Sequence, residues 1–201
     1  MDKKMIENPS HLRPEYLAKY AVGETFIETG TYHGDTVNIA LAHGFKRIHT
    51  IELNVDLFAE NVIRFKDRPE VKVWLGDSVD IIPEIVEGLT EEATFWLDAH
   101  ASGPLVGGAY GPCPLELELR AIFGKEVVTM SHMGIEKNIK RRPVHTHTIF
   151  VDDRRLLGSQ EWGFISEEQI THMLMAINPE YKLNLLDGHV EKDVIVASIK
   201  E

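Results

Sequence analysis

Short apolar runs alternate with amphipathic stretches along the chain. Thr25–Glu28, Arg47–Leu53, Val71–Leu75 and Ala93–Asp98 read as four strands, and Thr146–Asp152 as a fifth. Helical stretches fill the gaps. Asp35–His43 stops at Gly44, and Val55–Lys66 follows Asn54 as N-cap. A helix near Ile81–Glu87 carries Pro83, which is tolerated only in a first turn. Leu115–Phe123 follows Pro114, and Ser166-Glu167-Glu168-Gln169 matches a capping box, with Ile165 and Ile170 placed as a hydrophobic staple. That last helix is expected to run to Ile177, before Pro179. Lys182–Leu186 and Asp193–Ile199 form a closing pair. The connection through Asp187-Gly188 is too short for a crossover, so this pair is antiparallel. Strand–helix alternation predicts an α/β fold with a mostly parallel sheet covered on both faces.

Two segments fit no element. Ala101–Pro114 is rich in Gly and Pro, and Gly124–His145 is long and basic toward its end. Loops of this length in a compact domain are usually functional or disordered, and both border the carboxyl ends of strands, where open α/β sheets bind ligands.

The chain has 201 residues, 43% of them hydrophobic, which suits one domain spanning 1–201 with residues 1–22 as an N-terminal extension. No run reaches the roughly 20 apolar residues of a membrane helix, and Met1–Ser10 lacks an apolar signal core, so a cytoplasmic location is expected. The single cysteine, Cys113, excludes an internal disulfide; standing between Pro112 and Pro114, it reads as a packing or exposed residue and not as a nucleophile. A net charge of −11 disfavours duplex nucleic acid as the main partner, although Lys137, Lys140, Arg141 and Arg142 make a local basic run.

The most informative stretch is Glu28-Thr29-Gly30-Thr31-Tyr32-His33-Gly34-Asp35-Thr36. A strand ends in an acid, a glycine turn follows, and a helix begins. Glycine permits the tight turn and a close approach of backbone to ligand. The nicotinamide-dinucleotide fingerprint requires G-x-G-x-x-G, and Tyr32 occupies the place of its middle glycine. A carboxylate at Glu28 suits a ligand bearing an ammonium and a sulfonium better than a pyrophosphate. On this reasoning Gly30→Val is expected to block the ligand by filling its space.

This stretch resembles the first motif of small O-methyltransferases of the class I S-adenosylmethionine-dependent family, which carry E-x-G-x-x-x-G here. The resemblance continues through Glu52-Leu53, Gly76-Asp77-Ser78, Phe95-Trp96-Leu97-Asp98-Ala99-His100 and Phe150-Val151-Asp152-Asp153, and covers roughly Thr25–Ile199. It implies a Rossmann-like three-layer sandwich with a seven-stranded sheet in the order 3-2-1-4-5-7-6. It also implies a cofactor site of Glu28, Thr29, Gly30, Thr31, Tyr32, Gly34, Thr36, Glu52, Leu53, Gly76, Asp77, Ser78 and Asp98. Glu52 would hold the ribose hydroxyls, and Gly76-Asp77-Ser78 would contact the adenine. Each match also has a plainer reading as a strand-end carboxylate or a helix cap.

Asp98, Asp152 and Asp153 are expected to converge, and three carboxylates in one cleft call for a positive charge among them. Catechol-type and macrocin-type O-methyltransferases resemble this plan and bind magnesium there, which implies Asp98, Asp152 and Asp153 as metal ligands. The alternative is that Arg154 and Arg155 supply the charge. Asp98 and His100 are the candidate catalytic residues. His100 reads as a general base, a fourth metal ligand or a loop histidine satisfied by a carbonyl. Loops 101–114 and 124–145 would lie over the acceptor, with Gly103, Gly107 and Gly108 as hinges and Tyr110 either stacking on a ring or packing on the surface.

The reading is a magnesium-assisted O-methyltransferase acting on a small-molecule or sugar hydroxyl. Two alternatives stay open: a metal-independent enzyme acting on N or O, including RNA through residues 137–142, and a nicotinamide-dependent oxidoreductase. Homo-oligomerisation is left open as well.

Overall fold

The computed structural model describes residues 10–99, 109–111, 113–123, 129–131, 134–136 and 146–200. Seven strands form one sheet: β1 Thr25–Thr29, β2 Arg47–Glu52, β3 Val71–Leu75, β4 Ala93–Leu97, β5 Thr148–Val151, β6 Lys182–Leu186 and β7 Val194–Ser198. Their order is β3-β2-β1-β4-β5-β7-β6. The first five pair in parallel, and β7 runs antiparallel to both neighbours. Fold class and strand order match the expectation. The segment 124–145, expected to hold no element, contains a two-stranded antiparallel ribbon of Thr129–Ser131 and Gly134–Glu136.

The central strands are apolar throughout because both faces of the sheet are covered. Phe26, Trp96, Phe150 and Val196 face one side, where α1 (Pro14–Tyr20) and α2 (Asp35–His43) pack; α3 (Val55–Arg64) lies beyond them against β2 and β3. Ile27, Phe95, Ile149 and Ile195 face the other, against α4 (Ser78–Glu87), α5 (Leu115–Phe123) and α6 (Glu167–Ile177). Adjacent residues thus serve opposite layers, as the period of two requires. Full burial of each large side chain contributes about 1.5–3 kcal/mol.

Local signals account for the helix ends. Asn54 accepts from the N–H groups of Asp56 and Leu57, Gly44 ends α2 in a left-handed conformation, and Ser166 with Gln169 forms the expected capping box. Helix α4 differs. Asp77 caps it by accepting from Val79 N, so it starts three residues earlier than expected and Pro83 lies inside it, past the first turn. Helix α1 was also unexpected. Pro14 sits in its first turn, and Leu12, Tyr16, Leu17 and Tyr20 are buried against the sheet.

Parallel pairing fixes where function can assemble. Thr29 is level with Ile51 and Leu97, Glu52 with Leu75, and Leu97 with Val151. The carboxyl ends of five strands therefore share one edge, with β1 and β4 at its centre, where the order reverses and ligands bind in such sheets. Among the described residues, no helix is long and apolar enough to cross a membrane.

Candidate functional site

The glycine turn sits at the middle of this edge. After β1 the chain folds back over β2, with Gly30 N and Thr31 N both donating to Ile51 O at 3.0 and 3.2 Å. Gly30 has φ +82°, and a Cβ there would meet Asp98 O at 2.7 Å. This corrects the reason given for Gly30: the missing side chain makes room for the backbone after β4, not for the ligand. Tyr32 also adopts positive φ and is 59% exposed; its N–H donates to Glu52 Oε2 at 2.9 Å. Gly34, again left-handed, is the N-cap of α2 and supplies no capping side chain.

Acids line the edge. Glu28 is 1% exposed beneath the turn and accepts from the Thr50 hydroxyl at 2.6 Å. Burial pushes its carboxyl up to about 8, against the opposing hydrogen bonds of Thr50 and Thr36. Thr31 Oγ1 lies 2.6 Å from Thr50 Oγ1. Glu52 accepts one N–H on each oxygen, from Asn54 at 2.8 Å and from Tyr32. Leu53 is exposed, and Gly76 N extends the ladder to Glu52 O at 3.0 Å. Asp77 is a helix cap, its plainer reading, while standing at this same edge. Ser78 is buried and hydrogen-bonded to Glu118 of α5.

Asp98 follows β4, half-buried, with its N–H donating to Thr29 Oγ1 at 3.1 Å. Its carboxyl is held well above the usual range, first by burial and then by the charges of Asp152, Asp153 and Glu28. The charges of Asp152 and Asp153 thus reach Asp98, but the donor atoms that come within 4.8 Å of one another are those of His11, Asp152 and Asp153, not Asp98; one cation, Arg155, and one imidazole, His11, stand beside the aspartate pair. Arg155 pairs with both Asp153 and Asp193, as the arginine alternative anticipated for Asp153, whereas Arg154 turns away to Glu167 at 2.8 Å. Asp153 itself is left-handed at φ +56° and caps a single 3₁₀ turn, Arg154–Leu156.

The partner of Asp152 was missed in the sequence. His11 Nδ1 lies 2.7 Å from Asp152 Oδ2 and 3.8 Å from Asp153 Oδ1. The hydrogen bond to Asp152 raises the imidazole pKa above 6.5, against the lowering effect of burial. The segment carrying it is anchored on both sides: Ser10 Oγ is 2.7 Å from Thr36 Oγ1 on α2, and Leu12 is buried. Residues 10–12 thus bridge the start of α2 and the end of β5. No motif around His11 signals this role, although Leu12, Tyr16, Leu17 and Tyr20 at helical spacing show that the extension packs.

Glu118 was missed too, and here a signal existed. It falls on the core-facing stripe of α5 with Leu115, Leu119 and Ile122, where an acid is out of place. It is 1% exposed, bonds to Ser78 and Thr29, and is pushed up to about 7 by burial.

Other expectations resolve simply. Tyr110 lies on the surface and donates to Asp80 at 2.7 Å. Cys113 is buried and its thiol is pushed up to about 11, which suits packing and not nucleophilic attack. His147, just before β5, accepts from Ala93 N at 2.9 Å in the core. His100, Gly103, Gly107, Gly108 and the basic run Lys137–Arg142 lie outside the described residues.

Comparison with known proteins places the architecture. No family model matches the sequence, and no curated protein matches it. Solved structures do match. An O-methyltransferase from Bacillus cereus, solved with S-adenosylhomocysteine (SAH), is 18% identical at a TM-score of 0.54, over 96% of this chain and 84% of that one. A Streptococcus mutans protein described as a methyltransferase, also solved with SAH, is 10% identical at 0.54, over 93% and 98%. Spermidine synthase from Thermotoga maritima is 10% identical at 0.52, over 87% of this chain and 53% of that one. These likenesses show that the chain has the Rossmann-like fold of the class I methyltransferases, a fold on which the reaction is set by the site.

Proposed function

We propose that the protein is an S-adenosylmethionine-dependent methyltransferase that acts on a hydroxyl of a small molecule or sugar. One observation carries the reading: Glu28, the Gly30 turn, Glu52, Asp77 and Asp98 come from four different strand ends and stand along one edge of one sheet. The residues fit this cofactor. Each Glu52 oxygen accepts a single N–H, so lone pairs remain for two ribose hydroxyls. Gly34 leaves the first turn of α2 without a side-chain cap. Glu28 and Asp98, which burial holds above the usual carboxylate range, are the groups that a ligand bearing an ammonium and a sulfonium would draw into the ionised form.

S-adenosylmethionine supplies an already activated methyl group when bound. The protein must then hold an acceptor oxygen in line and remove its proton. The His11–Asp152 pair suits that task. A carboxylate only accepts, so Nδ1 carries the proton that faces Asp152 and Nε2 is left to take one from the acceptor. Arg155 holds Asp153 in place beside it.

A second reading, magnesium assistance, is supported by the donor set. One ligand atom each from His11, Asp152 and Asp153 lie within 4.8 Å of one another, next to Asp98. His11, Asp152 and Asp153 would hold the ion, in place of the Asp98, Asp152 and Asp153 set that the resemblance implies, and it would lower the pKa of a bound hydroxyl. Asp153 already has Arg155 as its cationic partner and Asp152 is hydrogen-bonded to the His11 imidazole, so we favour the His11 route, in which that imidazole starts neutral.

The test begins with calorimetry. SAH is expected to bind; tight NAD binding without SAH binding would replace this reading with an oxidoreductase. Methyl transfer to a panel of sugar and phenol hydroxyls, with and without chelator, then separates the routes. Activity that survives chelation and falls at least about 100-fold in His11→Ala supports the imidazole base, and chelator-sensitive activity lost in Asp152→Ala supports the metal.

A further inference from the structure

Strand β3 closes one side of the sheet, and among the described residues it pairs only with β2. Alternate residues of a parallel strand bond the same neighbour. Glu70 O and Gly76 N both bond β2, so Lys72 and Trp74 between them do the same, and the N–H and C=O groups of Val73 and Leu75 face outward. An open edge of this kind is a template for another strand.

Helix α3 adds to the same side. Its inner flank serves the glycine turn: Asn61 donates to Tyr32 O at 2.6 Å, Arg64 donates to His33 O, and Phe65 is buried. At about 100° per residue, Val55, Ala59, Val62 and Lys66 fall on the opposite flank, with Ile63 beside them. The helix packs on β2 and β3, so this flank overhangs the open edge. Val55, Val62, Ile63 and Leu75 are 43–69% exposed and together show on the order of 400 Å² of surface, about half of what each partner buries in a standard interface. Ala59, Lys66 and Lys72, all exposed, and the half-buried Val73 and Trp74 add to it.

We propose that this side of the molecule is a homodimer interface. A second copy adds its own β3 antiparallel to the first, about a two-fold axis at Val73. The two seven-stranded sheets become one, and the outer flanks of the two α3 helices pack on each other. No residue of the proposed cofactor site takes part, so the inference stands apart from the methyltransferase reading.

Three features select a second copy as the occupant. The first is the register. Val73 opposite Val73 makes the hydrogen-bonded kind of antiparallel pair, in which each residue donates to the other. Leu75 N then reaches Val71 O of the second copy, and the ladder stops there because Val71 N already donates to Arg68 O. The second is the side-chain match on the face away from α3. Lys72 comes opposite Trp74 of the second copy, and such cross-strand neighbours touch. Within one chain the Lys72 ammonium already lies 3.2 Å from the Trp74 ring centroid, so either ring can receive it. The third is the helix flank. Antiparallel packing sets Ala59 against Val62 and brings Lys66 to the first turn of the second α3, which carries Asp56. The flank itself holds no acid, so a chain of net charge −11 meets its copy where like charges are absent.

The test begins with sedimentation equilibrium of the whole chain from low to high micromolar concentration, which is expected to give twice the 22.8 kDa of one copy. Ile63→Asp and Val73→Pro are each expected to raise the dissociation constant at least about ten-fold. Ile63 is mostly exposed and the Val73 N–H bonds nothing in β2, so both variants should keep the fold, as circular dichroism can verify. Mild oxidation then reads the register. Val73→Cys is expected to cross-link one copy to the other, because a hydrogen-bonded pair sets the Cα atoms about 5.5 Å apart, inside disulfide range. Leu75→Cys is expected to stay unlinked, since the axis at Val73 puts the two copies of that position about 14 Å apart along the strands. A monomer across the whole concentration range, a dimer that both Ile63→Asp and Val73→Pro leave intact, or cross-linking of Leu75→Cys as readily as Val73→Cys would overturn the proposal.

Discussion

Replacing Glu28 by Gln should make the protein's stability less sensitive to pH, by an amount the structure specifies. Glu28 is buried, and its carboxyl is pushed from 4.5 to about 8, mainly by burial. An acid whose folded value is raised stabilises the fold fully below the unfolded value, and that stability is lost as pH rises through the folded value. Between these limits the native state holds one proton that the unfolded chain has released, so stability falls by about 1.4 kcal/mol per pH unit. Allowing for partial titration near the upper limit, wild-type protein should lose about 2 kcal/mol between about pH 6 and about pH 8 from this group alone. Glutamine mimics the protonated acid in shape and can still accept from the Thr50 hydroxyl. Glu28→Gln should therefore show no such loss, and the gap between the proteins should widen across that interval and level off above it. Urea denaturation of both at several pH values reads the gap directly, because other titrating groups are common to the pair. Parallel stability curves would show that Glu28 ionises normally in the fold, and the buried neutral acid beneath the glycine turn would have to be abandoned.

Gly30→Ala should lower the thermal midpoint by about 5–10 °C. A left-handed Ala costs about 1–2 kcal/mol and its Cβ must displace the Asp98 carbonyl, so an unchanged midpoint would contradict the placement of the turn. Arg155→Met leaves Asp153 and the fully buried Asp193 side chain without their shared guanidinium and should cost about 3 kcal/mol in denaturant, whereas Arg120→Ala, in an exposed pair with Glu116, should cost less than about 0.5 kcal/mol; equal costs would refute the distinction. His11→Ala should destabilise the protein by about 1–3 kcal/mol at acid-side pH. That difference should shrink as pH rises through the raised imidazole value, since the charged pair exists only below it; a pH-independent difference would mean the pair is not ionic.

The sheet was readable because its physics is local. Phe26-Ile27, Phe95-Trp96 and Phe150-Val151 are apolar pairs that can only be satisfied between two covered faces, and Asn54, Gly44 and Ser166 mark helix ends within a few residues of the backbone groups they serve. The acids at strand ends were readable for the same reason, since each ends its own strand. Helix α4 was misjudged because Pro83 was weighed above the cap at Asp77. His11 was invisible because its partner is 141 residues away and no periodicity encodes such a meeting. Glu118 sat in plain view on an apolar stripe, but acids alternate with leucines through Glu116 and Glu118, and only packing tells which one is buried.

The docked segment that carries His11 also dictates an order of assembly. His11 meets Asp152, Tyr20 O accepts from Thr148 at 2.6 Å, and the Tyr16 hydroxyl donates to Asp187 O at 2.8 Å, so the earliest described residues are fastened to some of the last strands. During synthesis this segment must wait, exposed, until those strands have emerged. Closing such distant contacts comes late and slowly. A ribosome-bound chain that has completed β4 would hold the acids of the first four strand ends without the His11 imidazole, and the edge is completed only when the C-terminal strands fasten residues 10–20 in place.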